Sequence, residues 1–268
     1  MSRGPDSQTA RRHPAGMKLS IVIPAFNEKR RILPALEKIR HFLNAEKMDA
    51  EILVVNDGST DDTAALVREV MPAFQPVVRL EMLENPGNRG KGYSVRRGMM
   101  ESQGSWALFT DSDLSTPIDE YQKLAAPVQA GKAVIAFGSR GLPESQVRKH
   151  QSWLRESCGR TFNLLVRMLT GLPFKDTQCG FKLFTREAVE AIFPLQTIDG
   201  FGFDVEILYI ARKLGLRAVE VPVVWNHSED TRVNLTSGTR AFLDILRVRY
   251  LDLHGAYKDR VSSRRGLR

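Results

Sequence analysis

LSIVIPAFNEKRRILPALEKIRHFLNAEKMDAEILVVNDGS, residues 19–59, changes its apolar period twice. Its ends, LSIVIPA (19–25) and EILVVND (51–57), are short continuous apolar runs, the pattern of strands covered on both faces. Between them Ile32, Leu36, Ile39 and Leu43 recur at i, i+4, i+7 and i+11, which is one face of a helix. A strand, a helix and a second strand in this arrangement form a βαβ unit, with parallel strands and a right-handed crossover.

The same alternation continues outward. VVRLEML (77–83), WALFTD (106–111) and AVIAFG (133–138) read as further strands. Ser59 followed three residues later by Asp62 resembles a capping box, opening a helix expected to bury Leu66, Val67 and Val70. The expected fold is therefore α/β, with a mainly parallel, Rossmann-like sheet and helices on both faces. After about residue 140 the regularity fades. A polar, basic loop spans 141–152, expected as a mobile lid, and is followed by a helix over 153–169 and the segment PFKDTQCGFKLF (173–184). A helix carrying FDVEILYIARKLG (203–215) and a strand RAVEVPVVW (217–225) come next. Residues 240–253 place Phe242, Ile245, Leu246 and Leu253 on one side of a last helix, for which core packing is favoured over a membrane-surface role. The expected boundaries are a disordered segment 1–17, a domain 18–240, and an amphipathic helix with a basic tail over 241–268.

The chain has 268 residues, 42% hydrophobic and 26% charged, a soluble globular composition with a sizeable core. Its net charge of +8 resides mostly in the tails, where residues 1–18 contribute +3 and residues 255–268 contribute +4, leaving a nearly neutral body. Basic tails on such a body fit an anionic membrane surface or polyanion better than a nucleic-acid groove, and equally fit tails that are simply solvated, so the tails alone decide nothing. Cys158 and Cys179 form no ligand-like pair and suit a reducing compartment. No stretch approaches the 18 or so apolar residues of a membrane span, and the polar start lacks a secretory signal. The expected location is cytoplasmic, at the cytosolic face of a membrane.

In a parallel sheet, ligands bind beyond the carboxyl ends of the strands. That rule brings PAFNE (24–28), NDGSTDD (56–62) and DSD (111–113) to one rim. Asp111 and Asp113, at the exit of an apolar strand, repel one another and lose hydration, so a divalent cation or polar ligand is expected to offset both costs. Glycines around Lys91 in NRGKG (88–92) suit phosphate oxygens before a helix. Three acidic clusters on one rim repel a nucleic acid, so no nucleic-acid partner is expected.

SIVIPAFNE (20–28), VVNDGSTDDT (54–63), NRGKG (88–92), DSDLSTP (111–117) and GFGFDVEIL (200–208) together resemble the family 2 glycosyltransferases, inverting nucleotide-sugar enzymes of the GT-A fold. Through DSDLSTP, DTQCGFKLF and FDVEILYIA the chain looks most like the dolichyl- and polyprenyl-phosphate β-glucosyltransferase type. The resemblance implies nucleotide contacts from Pro24, Asn27 and Glu28, a uracil N–H accepted by Asp57, and donor phosphates near Lys91. It implies a metal pair, Asp111 and Asp113, holding Mg2+ or Mn2+ against the donor diphosphate, with Asp111 also in the nucleotide-sugar site. Arg140 in FGSR and Arg232 in WNHSEDTRVNL match phosphate-contacting positions. Asp176 matches an acid near the reacting centre and is the expected catalytic residue, with Asp204 and Glu206 as second choices. Many relatives carry two acids where this chain has Asn56 before Asp57, and a shorter turn where it has Glu229 and Asp230 beside Arg232. A lipid phosphate is already ionised, so alignment and charge balance matter more than base catalysis. The implied reaction moves glucose from UDP-glucose to a polyprenyl or dolichyl phosphate. Alternatives are a GDP-mannose donor, a hydroxyl acceptor, or a non-catalytic nucleotide-sugar binding module.

Overall fold

The computed structural model describes residues 18–75, 78–147, 163–226, 235–255 and 257, with the side chains of 235–242 left aside. The opening βαβ unit is present as β1 (Leu19–Ala25), α1 (Ile32–Ala45) and β2 (Ala50–Asn56). Ile32, Leu36, Ile39 and Leu43 are all buried, each contributing roughly 1.5–3 kcal/mol by leaving water. The alternation continues through α2 (Thr63–Phe74), β3 (Arg79–Glu84), α3 (Lys91–Glu101), β4 (Trp106–Thr110), α4 (Tyr121–Gln129) and β5 (Ile135–Ser139). Beyond β5 come β6 (Gln146–Val147), helical residues 163–170 (α5), β7 (Phe181–Thr185), α6 (Arg186–Ile192), α7 (Phe203–Lys213), β8 (Ala218–Pro222), β9 (Val224–Trp225) and α8 (Leu235–Leu253).

Among the described residues the main sheet has seven strands in the order β3-β2-β1-β4-β7-β5-β8, and β6 pairs with β9 in a small second sheet. Among these described strands only β7 runs antiparallel to its neighbours in the main sheet. One face packs on α1, α2 and α4, and the other on α3, α6, α7 and α8, which gives the expected three-layer α/β arrangement. The reversal of β7 has a functional consequence: its entry, DTQCG (176–180), lies at the carboxyl end of β4, beside the DSD turn. In register, Thr110 faces Phe181.

Three local expectations change. The Ser59/Asp62 box does not cap α2: Asp62 makes no side-chain cap, and Asp61 Oδ1 instead accepts from the Thr63 N–H at 3.0 Å. Ser59 Oγ is drawn away to accept from the Asn27 N–H. Of the three apolar residues assigned to α2, Val67 is buried, whereas Leu66 and Val70 are half-buried. The third change is on α8, which buries Ile245 and Val248 and turns Leu246 and Leu253 outward. The inward face is set by contacts with α7, where Asp252 accepts from Tyr209 and pairs with Lys213. Residues 1–17, the lid segment beyond Val147, the helix before residue 163, and the tail beyond Tyr257 lie outside the described residues, as does Arg232.

Candidate active site

The carboxyl ends of β1, β2 and β4 and the entry to β7 form one rim. β1 extends one residue past the half-buried Pro24, which pairs with Val55, before the chain turns. Asn27 occupies the left-handed region at φ 54, where its short polar side chain can bond locally. Its Oδ1 accepts from the Thr60 N–H at 2.7 Å, fastening the β1 exit to the β2 exit. The Glu28 N–H donates to Thr63 Oγ1, and the Glu28 carboxylate receives Arg31 Nε at 2.6 Å and Nη2 at 2.8 Å. Arg31 Nη1 then reaches Asp113 Oδ2 at 3.8 Å. Arg31, which the motif reading passed over, thus links the PAFNE and DSD clusters; its signal in the sequence is the i, i+3 spacing from Glu28.

Asp57 is buried and holds the neighbouring loop. Its Oδ1 accepts from Asn85 Nδ2 at 2.8 Å and the Arg89 N–H at 2.9 Å, and its Oδ2 accepts from the Gly90 N–H at 2.8 Å. A carboxylate offers about four lone-pair positions, so one remains on Oδ2 for a ligand N–H. Gly58 turns at φ 70, as the tight exit from β2 requires.

Lys91 is the first residue of α3, and its Nζ lies 2.6 Å from Asp111 Oδ1. Burial alone would lower the Lys91 pKa, but the charges of Asp111, Asp204 and Asp113 hold it above its ordinary value. Asp113 Oδ1 accepts from the Ser115 N–H at 2.9 Å, closing a turn in which buried Leu114 takes a left-handed φ of 45. Such a conformation in a branched residue is costly and is typical of a constrained functional turn.

Arg140, just beyond β5, forms a forked pair with buried Asp176. Nε donates to Oδ2 at 2.6 Å, Nη2 to Oδ1 at 2.9 Å, and the Arg140 N–H to Oδ2 at 3.0 Å. Burial would raise the Asp176 carboxyl, but Arg140 outweighs it and keeps the group below the ordinary aspartate value. The indole of Trp225 lies 5.5 Å from the guanidinium carbon, and the charge of Asp111 also acts on Arg140.

The second-choice acids serve the interior. Asp204 pairs with fully buried Lys182 at 2.6 Å, and Lys182 also donates to the Cys179 carbonyl. Glu206 accepts from the Thr197 and Ile198 N–H groups and from the Tyr257 hydroxyl, tying the loop after α6 to the C-terminal segment.

Among the described residues no cluster of three or more His, Cys, Asp or Glu can enclose a metal. The two carboxylates at the β4 exit nevertheless fit a hard cation, because Mg2+ and Mn2+ commonly take one or two carboxylates and complete their shell with substrate phosphates and water.

The mainly parallel sheet, covered by helices on both faces, gathers its polar clusters at one carboxyl rim, with an acid pair after β4. Residues 20–193 match the model of glycosyl transferase family 2, and the chain belongs to that family. Similar proteins include the dolichyl-phosphate beta-glucosyltransferases of Dictyostelium discoideum, 36% identical over 90% of this chain and 76% of the relative, and of Homo sapiens, 32% identical over 90% and 78%. Among solved structures, mannosyl-3-phosphoglycerate synthase from Rubrobacter xylanophilus aligns with a TM-score of 0.65 at 18% identity, covering 89% of this chain and 75% of that one. Glucosyl-3-phosphoglycerate synthase from Mycobacterium tuberculosis, in complex with Mn2+, UDP-glucose and phosphoglyceric acid, aligns at 0.61 with 21% identity, covering 88% and 80%. These likenesses confirm the GT-A fold. No helix among the described residues is long and apolar enough to cross a membrane.

Proposed function

We propose that the chain is a metal-dependent inverting glucosyltransferase that moves glucose from UDP-glucose to a polyprenyl or dolichyl phosphate. The observation that carries this reading is the meeting, at one strand rim, of the Asp111–Asp113 pair, the Lys91 ammonium and the Arg140–Asp176 fork. It is supported by relatives named for that reaction along most of their length. Asp111 and Asp113 are the residues that would hold Mg2+ or Mn2+, which supplies charge neutralisation at the departing diphosphate. Pro24, Asn27 and Glu28 shape the nucleotide side of the cleft, and the remaining Asp57 lone pair is offered to uracil. Lys91, freed from Asp111, reaches donor phosphate.

Arg140 is proposed to meet the acceptor phosphate through the guanidinium edge that Asp176 does not occupy. Asp176 has both oxygens engaged by Arg140, so its proposed role is to position that guanidinium. The acceptor arrives ionised and needs alignment more than deprotonation. Arg232 is proposed as a second phosphate contact. The outward stripe of α8, Leu243, Leu246, Tyr250 and Leu253, with the basic C-terminal sequence, is proposed to rest on an anionic lipid surface at the cytosolic face.

The test supplies radiolabelled UDP-glucose or GDP-mannose with Mg2+, with and without a short polyprenyl phosphate. Label in the organic phase from UDP-glucose alone, abolished by chelator, is expected. Transfer from GDP-mannose, or label that does not depend on the lipid phosphate, refutes the assignment.

A further inference from the structure

We propose that Gly180 is a positioning residue for Asp111, and that the missing side chain at position 180 is what seats the acid at the β4 exit. The antiparallel pairing that sets Phe181 opposite Thr110 carries Gly180 to Asp111, whose N–H donates to the Gly180 carbonyl at 3.2 Å. A Cβ placed on Gly180 would lie 2.1 Å from Asp111 Oδ2, 2.5 Å from Cγ and 2.8 Å from Oδ1, and these are its three nearest atoms. Gly180 is absent from the residues with positive φ, so backbone freedom does not require glycine here. The space is needed, and the Asp111 carboxylate fills it.

Seated in this way, Asp111 meets Lys91 at 2.6 Å. An alanine at 180 would have to push the carboxylate into another rotamer, away from Lys91. The cost should therefore fall on Asp111 rather than on the sheet, whose β4–β7 pairs continue from Phe181 onward. The functional half of this inference rests on the reading that Asp111 holds the donor through a divalent cation.

The experiment compares wild type, Gly180→Ala, Asp111→Ala and the double variant. In thermal melts, Gly180→Ala should lower the melting temperature when Asp111 is present and change nothing when residue 111 is alanine, the signature of two coupled neighbours. In titrations of UDP with Mn2+, Gly180→Ala should weaken metal-dependent affinity by about tenfold, as expected for one displaced charge-assisted contact. If Gly180→Ala alone fails to fold, folding of the double variant supports the proposal. Failure of the double variant in a background where Asp111→Ala folds overturns it, and so does an equal melting penalty in both backgrounds. Coupled melts with UDP binding indifferent to Mn2+ would uphold the seat and refute the metal reading.

Discussion

Asp176→Asn is the sharpest test of how the acceptor side of the cleft is held. The substitution keeps the shape but removes the charge that receives Nε at 2.6 Å and Nη2 at 2.9 Å from Arg140. Breaking a fully buried pair costs about 3–5 kcal/mol. Arg140 retains 31% side-chain exposure and so can recover some hydration. A loss of about 2 kcal/mol is therefore expected, within the range for hydrogen bonds to charged groups. For a chain of this size that corresponds to about 4–8 °C in melting temperature. Because the Asp176 carboxyl lies below its ordinary value, its stabilisation is fully present above the unfolded aspartate pKa of about 3.9. It is lost as pH falls through the lower folded value. Melts of wild type and variant should differ by a constant amount at neutral and mildly acidic pH and converge in stronger acid. Glucosyl transfer should fall in Asp176→Asn and in Arg140→Lys alike, since either change breaks the fork. An unchanged melt at neutral pH with full transfer by Asp176→Asn would refute the positioning role. Loss of transfer in Asp176→Asn with full transfer by Arg140→Lys would restore Asp176 as a direct participant.

Lys182→Met should strand Asp204 without its partner, costing about 3–5 kcal/mol and lowering the melting temperature by on the order of 10 °C. Adding Asp204→Leu should recover much of that loss, as scanning calorimetry would show. Burial pushes the Cys179 thiol up to about 11, so alkylating reagent at pH 8 should leave Cys179 unmodified in folded protein and label it in urea, as read by peptide mass spectrometry. Leu253→Glu, on the outward stripe of α8, should leave the melt unchanged and reduce cosedimentation with phosphatidylserine-containing vesicles. Equal pelleting would remove that face from the membrane account.

The sheet was legible where the sequence carried long, uniform signals. The five early strands and α1 follow from apolar runs and helical spacing, and the rim follows from the rule that loops after parallel strands converge. The reversal of β7 was not legible, because FKLF is too short for its apolar pattern to encode direction. That reversal brings Gly180 to Asp111 and, four residues earlier, Asp176 to Arg140, so this half of the site is not legible strand by strand. The cap of α2 is not legible because Ser59 and Asp61 compete locally, and the long-range bond from the Asn27 N–H to Ser59 decides between them. On α8, Ile245 and Leu246 are adjacent and so point about 100° apart; contacts with α7 choose Ile245 for the interior. Among the site residues, the acid pair was visible as two charges where burial disfavours them. Arg31 shows in sequence only its i, i+3 spacing from Glu28 and Lys182 shows nothing; the contacts with Asp113 and Asp204 appear only in the fold.

In the proposed function, the carboxylates of Asp111 and Asp113 bind the donor's diphosphate through a divalent cation. Calorimetric titration of UDP into wild type with Mn2+, into wild type with chelator, and into Asp111→Ala/Asp113→Ala with Mn2+ tests it directly. Strong binding in the first titration and marked weakening in the other two is the expected result. Equal affinity in all three would contradict the account.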